Sequence, residues 1–299
     1  MIGYSGKRKV KGLKKRLSLK FLISLGIATV LLLILAVWTI WGNTALTVST
    51  VVISSNRIPL SFSGFRIAQV SDLHNDEFGE NNMELLQILS GSTPDIIVIT
   101  GDLVDSQHTD MDVALDFAKE AVQIAPVYYV TGNHEAWIPQ YDELKTGLEM
   151  IGVTVLEDEA IQLEQGDEEV TLVGLSDPDF TVNGDMFGEV PAMVGTKLGE
   201  LTDIEDSYTI LLSHRPELFE TYADCEIDLV LSGHAHGGQF RLPFVGGLIA
   251  PNQGIFPKYD AGLYTEDNTN MIVSRGIGNS VIPFRFNNRP EIVLVELKK

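Results

Sequence analysis

Five short motifs gather the residues of this chain that can do chemistry. They are Asp72-Leu73-His74, Gly101-Asp102-Leu103-Val104-Asp105, Gly132-Asn133-His134-Glu135, Ser213-His214 and Gly233-His234-Ala235-His236. Five of the six histidines fall inside them; only His108 lies outside. The donors are carboxylates, imidazoles and one amide, with no thiolate. Such a set suits Mn²⁺, Fe or Zn²⁺ better than a soft metal. It holds more ligands than one ion needs, and two ions bridged by one carboxylate would use them all. The single cysteine, Cys225, lies in no motif. It rules out an internal disulfide and a Cys-rich zinc module, and no disulfide-linked partner is required.

Taken singly, each motif has a plain structural reading. Asp-x-His is a common polar pair, and Gly-Asn is ordinary turn chemistry. Their order and placement carry more weight, because each follows an expected strand. Phe65–Val70, Ile96–Thr100, Val127–Val130, Tyr208–Leu212 and Leu229–Leu231 read as short apolar strands. Amphipathic stretches at Asn82–Ser90, Asp110–Ala125, Tyr141–Ile151 and Pro216–Ala223 read as helices between them. Further strands are expected at Val153–Leu156, Ile161–Leu163, Val170–Leu175, Met271–Ser274 and Ile292–Leu297. This is an α/β pattern with two packed sheets and helices outside. Ligands in such sheets gather beyond the carboxyl ends of strands, so the five motifs can meet in one place. Asp72 and His74 are two apart and share a face of extended backbone, as do His234 and His236.

The ordered set resembles the calcineurin-like metallophosphoesterase superfamily over about residues 65–240. The run Gly233-His234-Ala235-His236-Gly237-Gly238-Gln239, with Ser274-Arg275-Gly276-Ile277-Gly278 and Arg289-Pro290-Glu291-Ile292, is similar to its membrane-associated bacterial phosphodiesterase branch. The resemblance implies a four-layer α/β/β/α sandwich with two metals above the sheets. It implies that Asp72, His74 and His236 hold one ion and that Asn133, His214 and His234 hold the other. Asp102 would bridge both. His134 would contact the phosphate and protonate the leaving oxygen, and Asp105 would orient His134. Ser106 stands where protein serine/threonine phosphatases have Arg-Gly, which argues against that assignment.

The expected reaction is in-line attack of a metal-bridging hydroxide on a phosphoester, a diester before a monoester. No Ser or Cys nucleophile is required. Arg275 and Arg285 are candidate phosphate contacts, since guanidinium matches phosphate geometry; a salt bridge in an acidic domain is the alternative. Gly237-Gly238 and Gly246-Gly247 read as loops near the site. Asn252–Tyr264 reads as a substrate wall or as an ordinary long loop. Two other functions stay open: a pyrophosphatase acting on a nucleotide-linked lipid, and a non-enzymatic, metal-stabilised module facing the wall.

Charge divides the chain. Residues 1–56 carry eight basic and no acidic residues, and the remainder has a balance of −28. The basic residues, Lys7 to Lys20, precede an uncharged run of 21 residues, Phe21–Trp41. As a helix that run spans roughly 30 Å, one hydrocarbon core. A cleaved signal peptide has an apolar core of only about 7–15 residues, so length favours a retained anchor. Small residues near Ala45 keep cleavage as the alternative. The expected organisation is a basic cytoplasmic segment (1–20), a transmembrane anchor (21–41), a connector with an edge strand near Leu46–Ile53 (42–64) and one catalytic domain (65–299). The basic flank should stay cytoplasmic in a single-pass cell-membrane protein, with the acidic domain outside. An acidic surface repels polyanions, so long nucleic acid is not expected as substrate. A small phosphodiester, or a phosphorylated group of the membrane or wall, fits better.

Overall fold

Neighbouring residues of the central strands face different hydrophobic layers, and that alternation builds the fold. The computed structural model describes residues 18–182, 188–202, 207–279 and 282–299. In chain order the strands are β1 (Thr47–Ser54), β2 (Arg66–Val70), β3 (Ile96–Thr100), β4 (Val127–Val130), β5 (Thr154–Val155), β6 (Glu159–Gln165), β7 (Glu168–Gly174), β8 (Thr209–Leu212) and β9 (Leu229–Ser232). Short pairs β10 (Arg241–Leu242) with β11 (Gly246–Gly247) and β12 (Ile249–Ala250) with β13 (Gly254–Ile255) follow. The last three are β14 (Gly262–Glu266), β15 (Thr269–Val273) and β16 (Glu291–Lys298). Two six-stranded sheets result, ordered β1-β16-β2-β3-β4-β5 and β14-β15-β9-β8-β7-β6.

Ile67, Val98, Ile210, Leu212 and Leu231 point into the layer between the sheets. Their neighbours Ala68, Ile97 and Ile99 point outward, onto the helices α2 (Met83–Gly91), α3 (Met111–Ala121) and α5 (Tyr141–Ile151), through Leu85, Phe117 and Leu148. On the other side Leu211 and Val230 meet α6 (Val190–Leu201) and α7 (Phe219–Asp224), through Leu198 and Phe219. α1 is Leu19–Thr44, and α4 is the single turn Asn133–Ala136. Strands buried on both faces need apolar residues at every position, which is why β3 and β9 read as unbroken apolar runs. The four-layer α/β/β/α expectation is met.

Some elements differ from the sequence reading. α6 was not expected: Gly195 and Gly199 lower its helix propensity, although Val190, Val194 and Leu198 make a buried stripe. Residues 252–264, read as a wall or loop, contain β13 and the start of β14. The edge strand expected near 46–53 is β1, paired in parallel with β16 from Thr47↔Glu291 to Ser54↔Lys298.

Residues 1–40 and Trp41–Lys299 are two separate units. Among the described residues of the first, α1 is apolar and long enough to cross a membrane. The basic residues Lys7 to Arg16 lie outside the described residues.

Candidate metal centre

β2, β3 and β4 run parallel in one sheet, and β8, β9 and β15 in the other. The turns after their carboxyl ends bring all five motifs together. Asp72 and His74 follow β2, Asp102 follows β3, and Asn133 and His134 follow β4. His214 follows β8, and His234 and His236 follow β9. All eight side chains belong to buried residues. Five of them, at Asp72, His74, Asp102, His234 and His236, hold positive φ of 47–65°. Non-glycine residues rarely adopt that backbone, and such strain collects at functional sites. Gly101 (φ +88°) makes the approach possible, since a Cβ there would lie 2.6 Å from His214 Nδ1.

Among the described residues, two of the three donor groups share the Asp102 carboxylate; the third, His74, Asp105 and His134, adjoins the first through His74. Asp72, His74, Asp102 and His236 form the first; Asp102, His214 and His234 form the second. In the first, His74 Nε2 lies 3.1 Å from His236 Nε2 and 3.6 Å from Asp102 Oδ2. His236 Nε2 is 3.4 Å from Asp72 Oδ1. In the second, His214 Nε2 lies 3.1 Å from both Asp102 Oδ2 and His234 Nδ1. His214 Nδ1–H donates to Thr100 O at 2.7 Å, which fixes the ring and leaves Nε2 facing inward. Asn133 Oδ1 is buried with no hydrogen-bond partner among the described residues.

Before any metal binds, electrostatics keep His74, His234 and His236 neutral and Asp102 ionised, while His214 holds its proton against Asp102 and must give it up to become a ligand. Burial, with the surrounding positive groups, takes His74 and His236 down to about 3 despite the nearby carboxylates. His234 is lowered by burial and by Arg215. Burial also works against charge on His214, but Asp102 outweighs it and lifts the imidazole to about 10. Asp102 is held well below its usual range: its burial is overcome by His214 and His74. Facing imidazole nitrogens, a shared carboxylate and an unpartnered amide oxygen make a donor set that fits a dinuclear metal site.

His134 sits at the rim of the first group. Asp105 Oδ2 lies 3.6 Å from its Nδ1, longer than a hydrogen bond. Ser106 N–H instead donates to Nδ1 at 3.0 Å. Asp105 Oδ1 accepts from the N–H groups of Gln107 (2.8 Å) and His108 (3.0 Å), and so shapes the turn that presents Ser106.

Two further residues matter that the sequence reading did not single out. Glu135, buried beneath the site, accepts from the backbone N–H groups of Asp102 (2.9 Å), Leu103 (2.8 Å), Val104 (3.2 Å) and Gly132 (2.7 Å). Burial and Asp102 push its carboxyl up to about 7 against the pull of those N–H groups. Arg215 is also buried; it grips Asp177 with two bonds, 2.6 and 2.7 Å, and lies 3.4 Å from His234 Nε2. Both lie in or beside quoted motifs, but their partners are distant in sequence.

Arg275 and Arg285, read from the sequence as candidate phosphate contacts with a salt bridge as the alternative, both make contacts within the domain. Arg275 pairs with Glu291 at 2.7 Å. Arg285 is 1% exposed. Its Nη1 donates to Arg275 O at 2.6 Å and its Nη2 donates to Gly278 O. Glu291 engages Arg275 and two carbonyls engage Arg285, contacts that brace the 275–278 turn; Arg285 Nη2 also lies 3.4 Å from His236 Nδ1, and its Nε is buried with no hydrogen-bond partner among the described residues.

Comparison with known proteins agrees with this geometry. The family model for calcineurin-like phosphoesterases matches residues 65–238. An uncharacterized metallophosphoesterase of Bacillus subtilis, YkuE, is 31% identical over 82% of this chain and 83% of its own. The phosphodiesterase YaeI of Escherichia coli is 29% identical over 78% of this chain and 82% of its own. A transmembrane protein with a metallophosphoesterase domain from Bos taurus is 29% identical over 84% of this chain and 57% of its own.

Proposed function

The chain belongs to the calcineurin-like phosphoesterase family, and from that premise we propose that it is a membrane-anchored phosphodiesterase that needs two metal ions. The observation that carries the reading is the shared Asp102 carboxylate between two buried donor groups, with His134 at their rim. Asp72, His74 and His236 would hold one ion, Asn133, His214 and His234 the other, and Asp102 both. When bound, Mn, Fe or Zn ions supply Lewis acidity at the phosphoryl oxygens and a water acidic enough to be a nucleophile near neutral pH.

The chain's own residues do the rest. The Ser106 N–H makes His134 Nδ1 an acceptor, so the proton of the neutral ring sits on Nε2. From there the Nε2–H can donate a hydrogen bond to the departing oxygen and stabilise the charge that develops on it, a contribution of about 10²–10³ in rate. Glu135 ties the turn after β3 to the turn after β4, and so keeps Asp102 in register with Asn133 and His134.

The diester reading is supported by the relative YaeI, which is described as a phosphodiesterase. Anchoring rests on α1 and on relatives described as transmembrane. The basic residues before Phe21 support an orientation with the N-terminus in the cytoplasm and the domain outside. An acidic exterior disfavours long nucleic acid, which leaves a small diester or a phosphorylated membrane or wall component. The test is the rate ratio of bis-p-nitrophenyl phosphate to p-nitrophenyl phosphate with full-length protein and restored metal. Faster diester cleavage is expected; a monoester preference overturns the assignment.

A further inference from the structure

Between the His236 turn and β14 the chain builds two short hairpins whose apolar side chains face water. Leu242 pairs with Gly246 in one, and Ile249 with Ile255 in the other. They form one connected surface: Leu248 N–H donates to Phe240 O at 2.9 Å, and Phe256 N–H donates to Leu248 O at 2.9 Å. Phe240 packs on Phe284 with ring centroids 5.3 Å apart. On this surface Phe244 is fully exposed, Ile255 is 72% and Phe256 63% exposed, and Val245, Ile249 and Phe284 are exposed too. Isolated exposed apolar residues are ordinary, but a connected patch of large ones marks a contact surface.

Backbone conformation sharpens the point. Phe244 and Phe256 hold φ of 67° and 57°. Gly or Asn fills such turn positions with less strain, so a solvated turn gives no reason for phenylalanine at either.

The same surface is rooted where the chain leaves its apolar run. Arg241 N–H donates to Phe286 O at 3.0 Å. In the segment that follows, the Arg289 guanidinium lies 4.6 Å over the Trp41 ring. Asn43 exchanges bonds with the Arg285 backbone, at 2.6 and 2.9 Å. The 284–289 segment therefore holds Trp41 at the end of the apolar run, Asn43 just after it, and the base of the first hairpin. A tryptophan at the end of such a run favours the membrane interface.

We propose that the hairpins of residues 241–256 seat on a lipid surface, with the tips around Phe244 and Phe256 inserted among the acyl chains. This rests on the membrane-anchored reading above. Charge indicates how it binds: Arg241 is paired with Asp260 (3.0 Å) and Lys258 with Glu220 (2.7 Å). Seating is therefore driven by apolar burial rather than by anionic headgroups, and neutral phosphatidylcholine suffices. The hairpins also abut the ligand turn. A Cβ on Gly238, two residues after His236, would lie 2.3 Å from Gly247 Cα. Seating them holds the metal ligands beside the headgroups.

The test uses the full chain with Cys225→Ser and one new cysteine, Phe244→Cys, Phe256→Cys or, as control, Asp167→Cys in the turn between β6 and β7. Each is labelled with bimane and reconstituted into phosphatidylcholine vesicles that carry spin-labelled acyl chains. Strong quenching is expected at 244 and 256 and none at 167, unchanged by salt. Vesicle flotation of the same samples tests the anchor by itself: protein that fails to float overturns the anchored reading. Protein that floats with unquenched labels at 244 and 256 overturns this proposal alone. Energy transfer between labelled copies without lipid quenching overturns it too, and assigns the patch to a second copy of the chain.

Discussion

The backbone N–H of Ser106 donates to His134 Nδ1 at 3.0 Å, and this one bond fixes Nε2 as the ring nitrogen that donates toward the leaving oxygen. A donor to the departing oxygen matters most when the leaving group is poor. His134→Ala should therefore lose about 10²–10³ in kcat on alkyl phosphodiesters. It should lose much less on p-nitrophenyl esters, whose leaving group needs little stabilisation. Steady-state kcat on the two substrate types checks this. Equal losses on both would remove His134 from that role.

Asp102 is the one carboxylate common to the two donor groups that would hold ions. Asp102→Asn keeps the shape and removes the charge that both groups use. Metal analysis of the dialysed variant should find less than one tightly held ion per chain. The variants Asp72→Asn and His214→Gln should each lose one.

Glu135 touches neither metal nor substrate in this account and acts through the backbone. A glutamine there offers one acceptor oxygen where the carboxylate offers two, and it turns an N–H₂ toward backbone donors. Glu135→Gln should cost about 1–3 kcal/mol of stability, the usual penalty for unsatisfied buried donors. It should also weaken metal retention, with KM for a small diester little changed. Urea unfolding and a metal-competition titration read the two effects separately.

The Arg275–Glu291 pair yields a pH prediction. Burial would raise the Glu291 carboxyl, but Arg275 and Ser49 outweigh it and hold it below its ordinary value. For a depressed acid the stabilisation is complete above the unfolded value, about 4.3. It is lost as pH falls through the folded value. Arg275→Ala should cost about 2–4 kcal/mol at pH 6–8, since it strands a mostly buried carboxylate. The gap from the parent protein should close below about pH 4. KM for bis-p-nitrophenyl phosphate should barely move, which separates this bracing role from a phosphate contact.

Much of the site is legible in the sequence because its ligands follow strands. The strands announce themselves as apolar runs such as Ile96–Thr100, and the turns after them carry Asp72, Asp102, Asn133, His214 and His234. What the sequence hides is of three physical kinds. α6 hides because Gly195 and Gly199 dilute its pattern, while tertiary packing of Val194 and Leu198 supplies the stability that propensity does not. Ser106 hides because its contribution is a backbone N–H, which every residue but proline owns. Glu135, Arg215 and Arg285 hide because their partners are reached only in the fold. Asp177 is 38 residues from Arg215, and a buried arginine that binds carbonyls has the same letter as one that binds phosphate.

The central claim is that two metal ions, held by the groups that meet at Asp102, make a phosphodiesterase. The direct measurement is a metal titration of the stripped full-length protein, with ions bound and bis-p-nitrophenyl phosphate turnover followed together. The account predicts two ions per chain, with turnover rising as the second binds. Activity that is complete with no metal, or with one ion per chain, would contradict it.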